Sequence, residues 1–443
     1  MKLCKLIIKD FQQFKDFHLD LTYPEGHKKE GEPLDKICLI GRNGTGKSTI
    51  INFLSRFLTR LDKYRSLPLL IVKIKINDRF IYAISSNKFP KVYYVNEEID
   101  QVPDWIDQFK KPISLQPFSK FIIKDEEILP HLNFKDNSND LIIYSPSEGQ
   151  ENLSLRVSDV PETQLNDALQ LFNTFPYYHM VNTDTIREFW KLLIYLVKKR
   201  ENDLRDFENQ DENQDKTVRK VKEEFEINNP EILVKLSEVW NKILGNAGLE
   251  FDFKNANNPI QLNDNLKAYI KLSKTNERIN YGQLSTGIRN YIFRVGHIYS
   301  LYFNRNIEKG FLLLDEPENS LFPDFLYDLV ENYFNLTQNT QLIIATHSPI
   351  IAAQFEPYER IILDFNEDGA VYSRKGVTPI GDDPNDLLIK DFGIRSLLGK
   401  EGIKKWERYV ELKILIAKEK DSELKKSLIS EYMEIGNNYN FGE

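Results

Sequence analysis

Cysteine is almost absent from this chain: two in 443 residues, Cys4 and Cys38, each inside a short apolar run. That scarcity excludes a disulfide-stapled scaffold, and both read as reduced core residues of a cytosolic protein. The six histidines (His18, His27, His131, His179, His297, His347) are scattered, with no H-E-x-x-H or HNH arrangement, so no zinc site is expected. Long apolar runs are missing too. Stretches such as Leu192–Val197 fall well short of the roughly 18 residues a membrane helix needs, so no membrane partner is expected. The opening MKLCKLIIKDF returns to charge at Lys9 and lacks the apolar centre of a signal peptide. An excess of positive charge is also lacking: 59 Lys and Arg face 67 Asp and Glu, net −8. Wholesale wrapping by nucleic acid is thereby disfavoured, although a local basic groove is not. What is there, 41% hydrophobic and 28% charged residues, suffices for a sizeable core. The length alone suggests about three domains of roughly 150 residues, and the expectation is a cytoplasmic protein of several domains.

Alternating apolar and polar residues mark strands at Leu3–Lys9, Phe14–Leu21, Leu70–Ile76, Phe80–Ile84 and Val92–Val95. Ile37–Ile40 is a four-residue apolar run of buried-strand type, followed by the glycine-rich Gly41–Thr49. Ile50, Phe53, Leu54, Phe57 and Leu58 then recur at helical spacing. From about residue 183 the period becomes helical. Thr185 with Glu188 reads as a capping box, the polar Asn209–Asp215 as a solvated loop between exposed helices, and Asn229–Pro230 as a helix start. Strand signals return at Leu249–Phe253 and Leu266–Leu272, and Ile403–Lys418 with Asp421–Ile435 predicts a helical hairpin.

Gly41-Arg-Asn-Gly-Thr-Gly46-Lys47-Ser48 fits G-x-x-x-x-G-K-[ST] at every fixed position. Such a loop turns backbone N–H groups inward around the phosphates of ATP, with a helix N-terminus behind it. Gly41, Asn43, Gly44, Gly46, Lys47, Ser48 and Thr49 are the candidate nucleotide-binding residues. Lys47 would reach the β- and γ-phosphates, and Ser48 would complete a Mg²⁺ shell. The matching carboxylates come at Phe311-Leu-Leu-Leu-Asp315-Glu316, an apolar run ending in two acids. A parallel strand presents its C-terminal edge to ligands, so Asp315 is the expected metal-side acid and Glu316 the general base. Leu284-Ser285-Thr286-Gly287 lies about thirty residues before Asp315 and opens a helix. Leu342-Ile-Ile-Ala-Thr346-His347 lies about thirty residues after it and ends another buried strand.

In these motifs, their order and the run Asp315–Pro323, the sequence resembles the ABC-type ATPases, and within them the SMC/RecF/OLD-like heads. The resemblance implies an α/β P-loop fold of ABC head type, a mixed sheet with helices, a helical insertion and a helical C-terminal tail. It implies that Leu284–Gly287 is the signature, offering the N–H groups of Ser285 and Gly287 to the γ-phosphate held by a second subunit. His347 would be the switch histidine contacting that phosphate, and Asn319–Leu321 the loop crossing the dimer seam. Thr286 and Ile288 depart from the usual signature; Arg289 and Arg294 are candidates to compensate. The magnesium-side glutamine of the family has only Gln150 to match it, and Phe14 and Phe17 are candidates to stack on adenine. No long heptad arms interrupt the chain, so it is not a full SMC rod.

The expected organisation is a first part of the ATPase core over 1–150, a mainly helical insertion over 151–248, the second part of the core over 249–375, and a helical tail over 376–443. In the tail, Gly381–Leu388 with Asp391–Gly393 resembles a segment of compact bacterial antiphage-defence ATPases of the Septu type, which act beside a separate effector. The expected partners are a second copy of the chain or a higher oligomer, and a protein effector, either a nuclease or a toxin. DNA is a further candidate, through Lys198–Arg200, Arg219, Lys220, Lys222, Lys404, Lys405 and Arg408, although acids interleave these positions. A nucleotide-gated scaffold and a RecF-like repair ATPase are the alternatives. A transport-coupling ATPase is disfavoured for want of a glutamine-led coupling segment.

Overall fold

The computed structural model describes residues 1–59, 68–85, 92–96, 123, 139–147, 177–182, 185, 203–228, 232–245, 248–251, 270–279, 284–303, 305–337, 339–394 and 396–441. They form two compact units, Met1–Gly381 and Asp382–Glu443.

In the first unit β1 (Lys2–Phe11) pairs antiparallel with β2 (Phe14–Asp20), and a long connection leads to β3 (Lys36–Gly41). The helix Lys47–Leu58 follows the glycine loop at once, then β4 (Leu69–Ile76), β5 (Arg79–Ser85) and β6 (Tyr93–Asn96). These last three join β1 and β2 in an antiparallel sheet of order β2-β1-β4-β5-β6. Val, Ile and Leu alternate along β1 and β4, so one face is apolar, and it merges with the apolar face of Lys47–Leu58 in a single core containing Leu6, Ile8, Ile50, Leu54 and Val72.

The second sheet has the order β15-β14-β3-β13-β12-β7-β8. Its strands are β7 (Asp140–Ser145), β8 (Tyr178–Met180), β12 (Lys309–Asp315), β13 (Thr340–Ala345), β14 (Arg360–Phe365) and β15 (Val371–Lys375), with β3 between β14 and β13. All pairings are parallel except β14 with β15. Strands that bury both faces carry continuous apolar runs, as Phe311–Leu314 and Leu342–Ala345 do. The buried Gln341 amide ties the two sheets together. It receives a hydrogen bond from Leu3 N at 2.8 Å and donates to the carbonyls of Leu3 at 3.0 Å and Leu34 at 2.8 Å.

Between the halves of the core, 203–208, Val218–Asn228 and Ile232–Gly245 are helical, followed by a small antiparallel sheet of β9 (Leu249–Phe251), β10 (Ile270–Leu272) and β11 (Arg278–Ile279). Within the stretch 151–248, expected to be mainly helical, β8 is an edge strand of the core sheet. The cap begins at Asn182: Thr185 N donates to its Oδ1 at 3.0 Å and Asn182 N to Thr185 Oγ1 at 2.9 Å; Glu188 and Asn229–Pro230 lie outside the described residues. Asn209–Asp215 is exposed at six of its seven positions, as a solvated loop requires, and only Asn213 is buried, donating to the Phe207 carbonyl at 2.8 Å.

The helix Thr286–Tyr302 packs against Ile232–Gly245 through Trp240, whose indole donates to the Ile292 carbonyl at 3.0 Å. His297 on the same helix is fully enclosed, and burial, with His179 nearby, pushes its imidazole down to about 3. Below about 6.5 the unfolded chain takes up a proton at this position and the folded chain does not. The stability is therefore full above 6.5 and is lost as pH falls toward 3. Between pH 7 and pH 5 the loss comes to about 2 kcal/mol at roughly 1.4 kcal/mol per unit. Denaturant titrations at both pH values should show that difference, and His297→Gln should flatten it.

The second unit holds the helices Pro384–Lys390, Lys400–Lys418 and Ser422–Tyr439. The last two form a hairpin around Tyr409, Leu412 and Ile435, with Tyr409 stacked on Tyr432 at 4.2 Å. Asp421 caps the final helix through Glu423 N and Leu424 N.

Candidate functional site

The register of the parallel sheet places the motif residues in one row. Leu39 stands opposite Ala345, Ala345 opposite Asp315, and Leu314 opposite Ser145. The chain therefore leaves β3 into the glycine loop, β13 into Thr346–His347, β12 into Glu316 and β7 into Pro146–Ser147, all at the same edge. The strand carrying His347 lies between the strand of the P-loop and the strand of the two acids.

Gly41, Gly44 and Gly46 all have positive φ, and Gly46 forms the left-handed N-cap of Lys47–Leu58. A Cβ on Gly46 would come 2.3 Å from the Phe14 ring, so the loop needs glycine there for conformation and for space. The Gly44 carbonyl accepts from the Gln13 amide at 3.0 Å. Asn43, Gly44 and Ser48 are exposed and Thr49 is half-buried. Lys47 is buried, with Nζ donating to the Gly41 carbonyl at 2.8 Å. Burial lowers its pKa, while Glu316, Asp315 and Glu318 raise it.

Ser48 Oγ donates to Asp315 Oδ1 at 3.1 Å, across 267 residues of chain. Burial raises the Asp315 pKa and the Glu316 charge adds to that; the Ser48 hydroxyl, the Ser147 N–H and Lys47 act the other way. A hydroxyl and a buried carboxylate converging beside a phosphate loop are hard oxygen donors of the kind Mg²⁺ takes alongside phosphate oxygens and water. Among the described residues no group of three or more His, Cys, Asp or Glu side chains is placed to hold a metal. The fit is thus to a metal shared with a nucleotide.

Glu316 has φ +47°, an uncommon backbone conformation for a residue with a side chain. Its N–H donates to the Ala345 carbonyl at 2.9 Å. Ser147 Oγ donates to Glu316 Oε2 at 2.8 Å, the Asn319 amide reaches the same oxygen at 3.4 Å, and His347 Nε2 lies 3.4 Å from Oε1. The half-buried Glu318 holds the end of β13, accepting from Thr346 Oγ1 at 2.5 Å and His347 N at 2.9 Å. Burial lowers the His347 pKa, Lys47 lowers it further, and Glu316 opposes them. Lowering the pKa favours the neutral ring, which can donate one hydrogen bond and accept another.

Ser285 is the N-cap of Thr286–Tyr302, its hydroxyl accepting from Ile288 N at 3.3 Å. Gly287 is buried against the loop after Glu316, where a Cβ would lie 1.8 Å from the Ser320 carbonyl oxygen. Arg294 is buried, with its charge acting on the Tyr333 hydroxyl, and is not exposed at the start of the helix. The Arg289 side chain, Gln150 and Lys198–Arg200 lie outside the described residues.

Two expectations change. Phe14 and Phe17 are fully enclosed and packed edge-on at 5.0 Å, so neither ring offers a face to adenine; alternation in a strand marks apolar residues without saying which side faces water. Several candidate cations are already paired: Arg219 with Glu223 at 2.9 Å, Lys404 with Glu401 at 2.6 Å, and Arg408 with Glu431 at 2.8 Å. Lys220, Lys222 and Lys405 are exposed. Sequence reading missed Ser147 and Glu318. The acid run around Glu318 was visible; Ser147 carried no signal beyond its place after an apolar run.

Residues 1–352 match the AAA ATPase domain family. No curated protein matches the chain. Similar solved structures include an Smc head bound to the C-terminal winged-helix domain of ScpA, at 12% identity and TM-score 0.41, covering 86% of this chain and 98% of that one. An Smc head with an extended coiled coil, bound to the C-terminal domain of ScpA from Pyrococcus furiosus, has 12% identity and TM-score 0.38 over 84% and 96% of the two chains. The SMC head from Thermotoga maritima has 11% identity and TM-score 0.36 over 85% and 100%. Among the described residues no helix is long and apolar enough to cross a membrane.

Proposed function

The chain belongs to the AAA ATPase domain family and is an ATPase, and we propose that it is a Mg²⁺-dependent switch closing as a head-to-tail pair on two ATP molecules. The observation that supports pairing is the contact of Gly287 with the Ser320 backbone. It sets the exposed Ser285 beside the seam loop, next to Phe322, which leaves 65% of its surface exposed. A large apolar side chain in the open at that place suits a surface that is covered in another state.

In this reading the N–H groups from Gly41 to Thr49 cradle the phosphates, and Lys47 leaves the Gly41 carbonyl for the β- and γ-phosphates. Ser48 and Asp315 hold the metal, which when bound neutralises the phosphate oxygens. Glu316 orients the attacking water and takes its proton, His347 donates to the γ-phosphate, and Ser285 and Gly287 of the partner complete the far side. Because each site needs two chains, association and hydrolysis are linked. Light scattering on the full chain tests the pairing: twice the monomer mass is expected with ATP and magnesium, and a monomer with bound ATP would sink it.

The switch would serve as a sensor in nucleic-acid-linked antiviral defence, controlling a separate nuclease or toxin. Support for that role is the likeness of Gly381–Gly393 to the Septu-type segment, although Asp383 there also acts as a plain helix cap through Asn385 N at 2.8 Å. The net −8 makes a protein partner at least as fitting a target as DNA. Co-purification with a nuclease or toxin encoded beside the chain is the check.

A further inference from the structure

We propose that Ser147 is a positioning residue for the general base, fixing the carboxylate of Glu316 through its hydroxyl. Ser147 lies two residues past the end of β7, the neighbour of β12, at the edge where the acids emerge. Its hydroxyl donates to Glu316 Oε2 at 2.8 Å, and its backbone N–H lies near enough to the Asp315 carboxylate to lower its pKa. The Asn319 amide donates to Ser147 Oγ at 3.2 Å and to Glu316 Oε2 at 3.4 Å. Two groups from two loops thus close on one carboxylate oxygen, which leaves Oε1 on the His347 side, 3.4 Å from Nε2. Pro146 restricts the backbone just before the serine.

The need for such a residue follows from the backbone. Glu316 sits at φ +47° immediately after the strand, so the strand does not by itself set where its side chain points. A general base must hold its oxygen within hydrogen-bond reach of the water it activates, and small displacements are costly. Glutamine is expected at this side of the site in ATPases that the sequence resembles, and Gln150 was the residue that sequence reading offered. Ser147 does a different job with a shorter side chain, holding the base instead of reaching for the metal. Asn319 starts the segment Asn319–Leu321 expected at the dimer seam, so the contact also ties the base to the loop that closure would move.

This inference rests on Glu316 acting as the base. The test is steady-state hydrolysis by the full chain, with affinity for a fluorescent ATP analogue measured in parallel. Ser147→Ala deletes the hydroxyl and keeps the backbone N–H, and at an exposed loop position it should fold. The expected result is a kcat about tenfold lower, the scale of one hydrogen bond to a charged group, with KM and analogue affinity unchanged. Ser147→Thr, which restores the hydroxyl, should recover most of the rate. An unchanged kcat in Ser147→Ala overturns the proposal, as does a loss that threonine does not rescue or one carried by KM. Wild-type hydrolysis in Glu316→Gln would instead overturn the base assignment itself, so the two failures are distinguishable.

Discussion

Glu316→Gln should lower ATP hydrolysis by about a thousandfold while leaving nucleotide affinity within about twofold of wild type, the pattern of an interaction made only in the transition state. Glutamine has the same length and keeps one oxygen, so it can still accept from Ser147, now at 2.8 Å, and from Asn319. What it loses is the ability to take the proton of the attacking water. The φ of +47° at this position is equally tolerable or strained for both side chains, so a gross change in fold is not expected. A second consequence follows from composite sites: chains that bind ATP and do not hydrolyse it should accumulate as pairs. Phosphate release and light scattering on one sample measure both. Hydrolysis within tenfold of wild type would remove Glu316 from the role of base.

Much of this site was legible from residue type and spacing, because each motif carries its own physical signature. Gly41–Ser48 has glycines where the backbone adopts positive φ, and Phe311–Leu314 is apolar throughout because both faces of β12 are covered. Closure of Ser48 onto Asp315 over 267 residues followed from the chemistry of one metal ion, not from local pattern. The motifs revise about three length-based domains to one interrupted core and a tail, and the described residues form compact units at Met1–Gly381 and Asp382–Glu443. The illegible parts depend on which strand lies beside which. Ser147 matters because β7 neighbours β12, and β8 joins the sheet through three residues too few to show a period. The burial of Phe14 and Phe17 required knowing that Lys47–Leu58 would pack over β1 and β2. Pairing of Arg219, Lys404 and Arg408 with acids three, four or 23 residues away fits the interleaved charge that sequence already showed.

Gly287→Ala carries the largest expected structural effect. Sequence alone explains this glycine as an N–H donor at a helix start, a role alanine would keep, since any residue but proline has that N–H. Packing gives a different reason. The added Cβ would lie 1.8 Å from the Ser320 carbonyl oxygen and 2.5 Å from its carbonyl carbon, both backbone atoms. Ser320 is itself at φ +65°, and Leu321 N bonds the Glu318 carbonyl at 2.9 Å, so the loop has little slack with which to retreat. The helix is held from the other side by Trp240 on Ile292. Overpacking of this kind costs about 1–3 kcal/mol where neighbours can shift, and the upper end is expected where the neighbour is backbone. Relief would come from displacing the seam loop, which carries Asn319 and, through it, the orientation of Glu316. The variant should therefore lose about a hundredfold in hydrolysis together with ATP-driven pairing, while binding a fluorescent ATP analogue at its own P-loop with wild-type affinity. If the glycine served only as a donor, Gly287→Ala would pair and hydrolyse normally, and a thermal melt would show no loss of stability.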